Sequence, residues 1–180
     1  MDILAHSLWA GAGVTLAQRH WVLSPRTLAL TVLLAAVPDL LQFLPIIAWG
    51  MFGDGALADV WRFTMAVPGE EPALPPMVNL WTHHLHCIMH SAVVAGAVTL
   101  LSWMVWRTLL FALLGWWSHI VIDVFTHSAS YYPSPVLYPI TEQGFDGLAW
   151  NTPWFLVANY VALGLSAVWL FRSRENRHKG

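Results

Sequence analysis

The sequence predicts an all-α, polytopic membrane bundle of about five transmembrane helices. Two observations on composition and one on patterning predict it. Hydrophobic residues make up 57% of the 180-residue chain and charged residues only 10%, against about 25% charged in a soluble domain. Apolar stretches recur along the chain, each near the roughly 20 residues needed to cross a bilayer. Trp and Tyr near the ends of these stretches read as interface anchors.

The stretches run at about 2–18, 27–50, 84–106, 108–127 and 152–171. The first is short and Gly-rich. Between the second and third, residues 53–82 carry Asp54, Asp59, Glu70, Glu71 and several prolines, with a short helix expected around Ala56–Met65. Between the fourth and fifth, residues 128–151 are rich in Tyr, Pro and Trp and contain no Lys or Arg. Residues 172–180 form a basic tail. No internal repeat interrupts this order, so the chain reads as one membrane-embedded domain over 1–180.

Charge sets the orientation. With five crossings, Arg19, Arg26, Arg107, Arg172, Arg174, Arg177 and Lys179 share one side, and Arg62 alone falls on the other. The positive-inside rule places the basic side in the cytoplasm, with the C-terminus inside, the N-terminus outside, and 53–82 and 128–151 as extracytoplasmic loops. The net charge of -2 and the lack of a basic patch give no reason to expect nucleic acid. A single cysteine, Cys87, excludes an intrachain disulfide and a Cys-based zinc motif. It points away from the neighbouring His86 on a helix and reads as core packing. The N-terminus has no positive region before its apolar stretch and does not read as a cleaved signal.

Histidine and aspartate inside these stretches break the apolar pattern. His119, Asp123 and His127 are spaced i, i+4, i+8, one stripe on one helix face. An ionisable group at bilayer depth costs roughly 2.5 kcal/mol or more and usually marks a functional site. His and Asp are ligand types for divalent metals. The orientation puts His6, Asp39, the group His83, His84, His86 and His90, and the 119–127 stripe within roughly 16 Å of the outer surface. Four segments thus place ligand-type residues at one depth. His86 and His90 have the i, i+4 spacing with which a helix chelates an ion. The competing reading for Asp39 and Asp123 is a hydrogen-bonded role in helix packing. His20 and His178, near charged ends, read as solvated. His83 and His84 fall at the interface, where a wet histidine needs no special reason.

Four motifs in order then resemble a known family. Met1-Asp2-Ile3-Leu4-Ala5-His6-Ser7-Leu8, Val37-Pro38-Asp39, His90-Ser91 and Ser118-His119-Ile120-Val121-Ile122-Asp123 resemble the bacterial inner-membrane-bound metal-dependent hydrolases. The run from Phe125-Thr126-His127-Ser128 to Leu137-Tyr138-Pro139 resembles one branch of it. The resemblance covers about the first 140 residues. By position it implies His6, Asp39, His90, His119 and Asp123 as the polar residues of the site, in a bacterial inner membrane. The chain departs from the family at Leu85, where many members have a His-Arg pair. The order of motifs is also distantly similar to that of secreted zinc-dependent phospholipases C.

The expected metal set is His6, Asp39, His86, His90, His119, Asp123 and His127, holding one or two Zn²⁺ ions, or Mn²⁺ or Mg²⁺ where carboxylates dominate. The expected activity is hydrolysis of a lipid or lipid-linked (phospho)ester at the outer face by metal-activated water, with Asp39 or Asp123 as general base. Tyr131, Tyr132 and Arg62 are the expected substrate contacts; the two tyrosines open the loop 131–139, which is either a lid or a proline-stiffened connector. The rivals are metal or proton transport, which favours midplane sites and broken helices, and a non-catalytic scaffold stapled by metal. Nothing in the sequence sets an oligomeric state.

Overall fold

The computed structural model describes residues 1–66, 70–130 and 132–178, with residues 175–178 as backbone. Among these the chain is helical, in the order α1 (Ile3–Ala17), α2 (Pro25–Phe52), α3 (Leu57–Thr64), α4 (Pro76–Met89), α5 (Ala92–Val105), α6 (Leu110–Thr126) and α7 (Pro153–His178). Three helices, α2, α6 with the turn before it, and α7, are long and apolar enough to cross a membrane. The pair α4 and α5 makes a fourth if taken as one bent span. At 15 residues, α1 is apolar but rises only about 22 Å.

The bundle is arranged around α2, which packs against α1, α3, α4 and α6. Its polarity is inverted relative to a protein folded in water. The largest fully buried side chains include His6, His90, His119 and Asp123, whereas Leu33, Leu44, Leu100, Val121, Val157 and Leu165 are exposed. In water such an outer surface aggregates. In lipid it is the solvated face, and the polar groups must find partners inside.

Local sequence explains how the helices come together. Ser24 and Asp2 cap α2 and α1 by accepting from Thr27 N and Ala5 N. Gly115 on α6 faces α2 so closely that a Cβ there would lie 1.9 Å from the Thr31 carbonyl oxygen. One turn further along each helix, the same approach sets His119 against Ala35. Pro38 has no N–H for the Leu34 carbonyl and crowds that turn; the next carbonyl along, that of Ala35, accepts from His119.

Three expectations change. The stretch 84–106 is not one continuous helix: α4 and α5 meet at 60°. Ser91 is the reason, since its hydroxyl caps α5 by accepting from Val94 N and starts a new helix. His90 is therefore the C-cap of α4 and not a residue in its second turn. Within 53–82, α3 forms as expected, and α4 already begins at Pro76. Finally, 172–178 continues α7 as helix, and Met1 is buried beside α6.

The segment after α6 has no helix among its described residues but is well anchored. Gly147 N and Trp150 N donate to His127 O and Thr126 O, and Ala92 N donates to Val136 O. A Cβ on Gly147 would lie 2.6 Å from the Phe125 carbonyl oxygen, so only glycine lets the returning chain lie on the end of α6. Ser134 and Pro135 are fully buried.

Candidate metal centre

Asp39 from α2, His90 from the α4–α5 break, and His119 and Asp123 from α6 converge in the bundle interior. One donor atom from each lies within 4.8 Å of all the others. Four supports hold them. Pro38 and Gly115 set α2 against α6. Trp116 Nε1–H donates to the Met89 carbonyl at 2.6 Å, which fixes the end of α4 beside His90. Ser91 turns the chain at that end and donates to Tyr138 O.

The imidazole tautomers follow from these surroundings. Nδ1 of His90 is 2.9 Å from the His86 carbonyl, and Nδ1 of His119 is 2.8 Å from the Ala35 carbonyl. A carbonyl only accepts, so each Nδ1 carries the hydrogen. The Nε2 atoms then present lone pairs, and they face each other at 3.0 Å. Asp123 Oδ2 adds negative charge at 3.2 Å from His90 Nε2 and 3.1 Å from His119 Nε2. Asp39 Oδ1 stands 3.6 Å and 3.7 Å from the same two nitrogens. The second Asp39 oxygen and Asp123 Oδ2 are buried without a hydrogen bond. Lone pairs and carboxylates aimed at one dry point repel unless a cation lies between them.

Metal geometry fits the gap. Four ligands about 2.0 Å from a tetrahedral zinc are about 3.3 Å apart. The contacts just given span 3.0 to 3.7 Å. His90, His119 and Asp123 form the tight face. Asp39 is the distant corner, and it alone of the four lines the adjoining chamber.

The other histidines are arranged around this group. His6 Nε2 is 2.9 Å from Asp123 Oδ1, and its ring stacks on His119 at 3.8 Å. His127 Nδ1 donates to the Tyr132 carbonyl at 2.6 Å, and its Nε2 is 3.4 Å from Asp123 Oδ1. Tyr132 holds that carbonyl in place from a positive φ of 45°, a conformation costly for a bulky residue. The Met1 ammonium donates to Asp123 Oδ1 and is 3.0 Å from His127 Nε2. Asp123 thus serves His90 and His119 with one oxygen, and His6 and, through the Met1 ammonium, His127 with the other.

His86 is not one of the four donors, although its ring centroid lies 4.2 Å from that of His90. Its Nδ1 is 2.8 Å from Gln42 Oε1 and its Nε2 is 3.4 Å from the Pro133 carbonyl. The i, i+4 chelation expected of His86 and His90 does not form, because His90 caps the helix and turns its Nδ1 back onto the His86 carbonyl. Gln42 was not anticipated; a polar residue i+3 from Asp39 in an apolar helix was the available signal.

Beside the centre lies a chamber of about 550 Å³, between the start of α1, α2, the end of α3, α4 and the segment after α6. Asp39, Gln42, His86 and His127 give it a polar floor, and Ile3, Leu4, Phe43, Phe63 and Trp150 give it apolar walls. Tyr132 also lines it. Arg62 does not: it is exposed on α3 and pairs with Asp59 at 3.3 Å. Tyr131 lies outside the described residues. A larger groove of about 710 Å³ between α1 and α7 contains none of the four donors.

The chain defines an all-helical protein with apolar helices able to span a membrane and a buried His/Asp group able to hold a metal ion. Compared with protein-family models, curated proteins and solved structures, it matches none.

Proposed function

We propose that the chain is a membrane-embedded metal-dependent hydrolase that cleaves a lipid or lipid-linked (phospho)ester at the outer face of a bacterial inner membrane. One observation carries the reading: three tight donors and one looser, chamber-facing carboxylate surround a point that requires a cation. A catalytic zinc takes three protein ligands and keeps one position exchangeable. A divalent ion there, Zn²⁺ before Mn²⁺ or Mg²⁺, supplies the Lewis acid that activates water and polarises the scissile bond.

The residues take distinct parts. His90, His119 and Asp123 hold the ion. Asp39, at the chamber edge, accepts the proton from the attacking water. His6 orients Asp123 through its second oxygen, and His127 Nε2 accepts from the Met1 ammonium that donates to the same oxygen. A second ion on that oxygen is the binuclear form of the same proposal. Tyr132, Gln42 and His86 face the substrate, and the apolar walls receive its chain. Among the described residues no Lys or Arg lines the chamber, which favours esters and singly charged phosphoesters. With four crossings, Arg19, Arg26, Arg107, Arg172 and Arg174 still share one side, so the proposed cytoplasmic C-terminus and outward-facing segment after α6 do not depend on α1 crossing.

Purified protein loaded with Zn²⁺ is to be screened against lipid phosphoesters and esters. Activity and bound metal that both disappear in His119→Ala and Asp123→Ala support the proposal. Variants that keep both overturn it. The break at His90 favours transport as a second reading, because transporters bind ions at interrupted helices. Metal uptake into proteoliposomes without hydrolysis identifies that case. Stoichiometric metal with neither hydrolysis nor uptake identifies a scaffold with a closed four-donor shell.

A further inference from the structure

A second group of ligand-type residues lies outside the buried centre. His83 and Cys87, one turn apart on α4, meet Glu142 from the segment after α6. His83 Nε2 is 3.6 Å from Cys87 Sγ and 3.3 Å from Glu142 Oε2. A tetrahedral zinc with a thiolate at about 2.3 Å and N or O ligands at about 2.0 Å separates S from N by about 3.5 Å, and N from O by about 3.3 Å. The observed spacings agree with both. Cys87 is buried, while the His83 and Glu142 side chains are 49% and 59% exposed. One side of the group is therefore packed in protein, and the other is open to water for a fourth ligand.

We propose that His83, Cys87 and Glu142 form a second, peripheral site for a soft divalent cation, Zn²⁺ in the first instance. The thiolate and imidazole select such an ion over Mg²⁺ or Ca²⁺. Binding ties the segment after α6 to α4 one turn from a weaker link between Tyr138 OH and His84 Nδ1 at 3.4 Å. The same segment supplies the Pro133 carbonyl to His86 and the Tyr132 carbonyl to His127. The peripheral ion thus steadies one wall of the chamber. The proposal does not rest on hydrolysis or on a metal in the buried centre.

The chain's single cysteine makes the test specific. A thiolate-to-cobalt absorption band in the near ultraviolet can arise only at Cys87. Reduced, full-length protein in detergent is titrated with Co²⁺. The band is expected to appear, to vanish in Cys87→Ser, and to persist in Asp123→Ala, which disables the buried centre. His83→Ala and Glu142→Ala, at exposed positions where folding is not at risk, are each expected to weaken Co²⁺ binding read at this band by about tenfold or more. No band under saturating Co²⁺ overturns the proposal. So does a band that both exposed-site variants leave unchanged, which would reduce the group to a His83–Glu142 contact over a packed thiol.

Discussion

His90 and His119 direct their Nε2 atoms at each other across 3.0 Å while a backbone carbonyl holds the Nδ1 hydrogen of each ring. A cation in that space, either a metal ion or a proton that turns one ring into an imidazolium, relieves the repulsion of the two lone pairs, and the two carboxylates stabilise either form. Replacing His90 or His119 by Ala is expected to weaken Zn²⁺ binding by more than about 100-fold, since even outer-sphere partners contribute 10–100-fold. Competition with a metallochromic chelator measures it. Unchanged affinity in both variants supports the proton.

Asp39 is expected to separate binding from chemistry. Asp39→Asn keeps the three tight donors, so metal content is retained, while kcat falls by about 10²–10⁴, the range for loss of a general base. Arg62→Ala is expected to leave both unchanged, because Arg62 faces Asp59 and not the chamber. Steady-state kinetics on whichever ester the screen identifies distinguishes the two variants.

His6 acts through Asp123. His6→Ala removes the 2.9 Å contact to Asp123 Oδ1 and the stacking on His119. A 10–100-fold loss of metal affinity is expected. The global fold, read by circular dichroism, is expected to survive.

Gly115 sets the distance between α2 and α6. Gly115→Ala drives a methyl group into the Thr31 carbonyl and is expected to destabilise the protein by about 1–3 kcal/mol, as overpacking does. It also separates His119 from Ala35 and Asp39, so metal affinity falls with stability. Gly96→Ala is the control: nothing lies within 4 Å of a Cβ there, and the change is expected to be neutral or stabilising by up to about 1 kcal/mol. Thermal unfolding in detergent, with and without Zn²⁺, reads both.

Chelation is expected to lower the unfolding temperature of the wild type. An ion at about 1,000 times its dissociation constant contributes about 4 kcal/mol to the folded state, and its removal leaves Asp39 and Asp123 facing each other's charge. In Asp39→Asn/Asp123→Asn the chelator is expected to have little effect. Equal shifts in both proteins would show that the ion contributes elsewhere.

Much of the fold was legible because composition and apolar length report the solvent around a helix directly. The site was legible for the same reason: His6, Asp39, His119 and Asp123 stand out against lipid-compatible neighbours, and the structure brings them together with His90. What the one-dimensional pattern hid was backbone geometry. An unbroken apolar run from 84 to 106 conceals the new helix that Ser91 starts, and with it the change of His90 from a helical residue to a cap. The i, i+4 spacing of His86 and His90 therefore misled. Arg62 was selected by the side of the membrane that the charge rule assigns to it, and its short-range partner Asp59 holds it on the surface of α3. The group of His83, Cys87 and Glu142 depends on a fold-back 55 residues and more along the chain, which helix periodicity cannot register.

X-ray absorption at the zinc edge tests the central claim most directly, on protein carrying Glu142→Ala and loaded with one equivalent of Zn²⁺. The account predicts a nitrogen and oxygen shell at about 2.0–2.1 Å with imidazole scattering, which weakens in His119→Ala and is lost in His90→Ala/His119→Ala. A protein that binds no zinc, or a spectrum indifferent to both histidines, would contradict it.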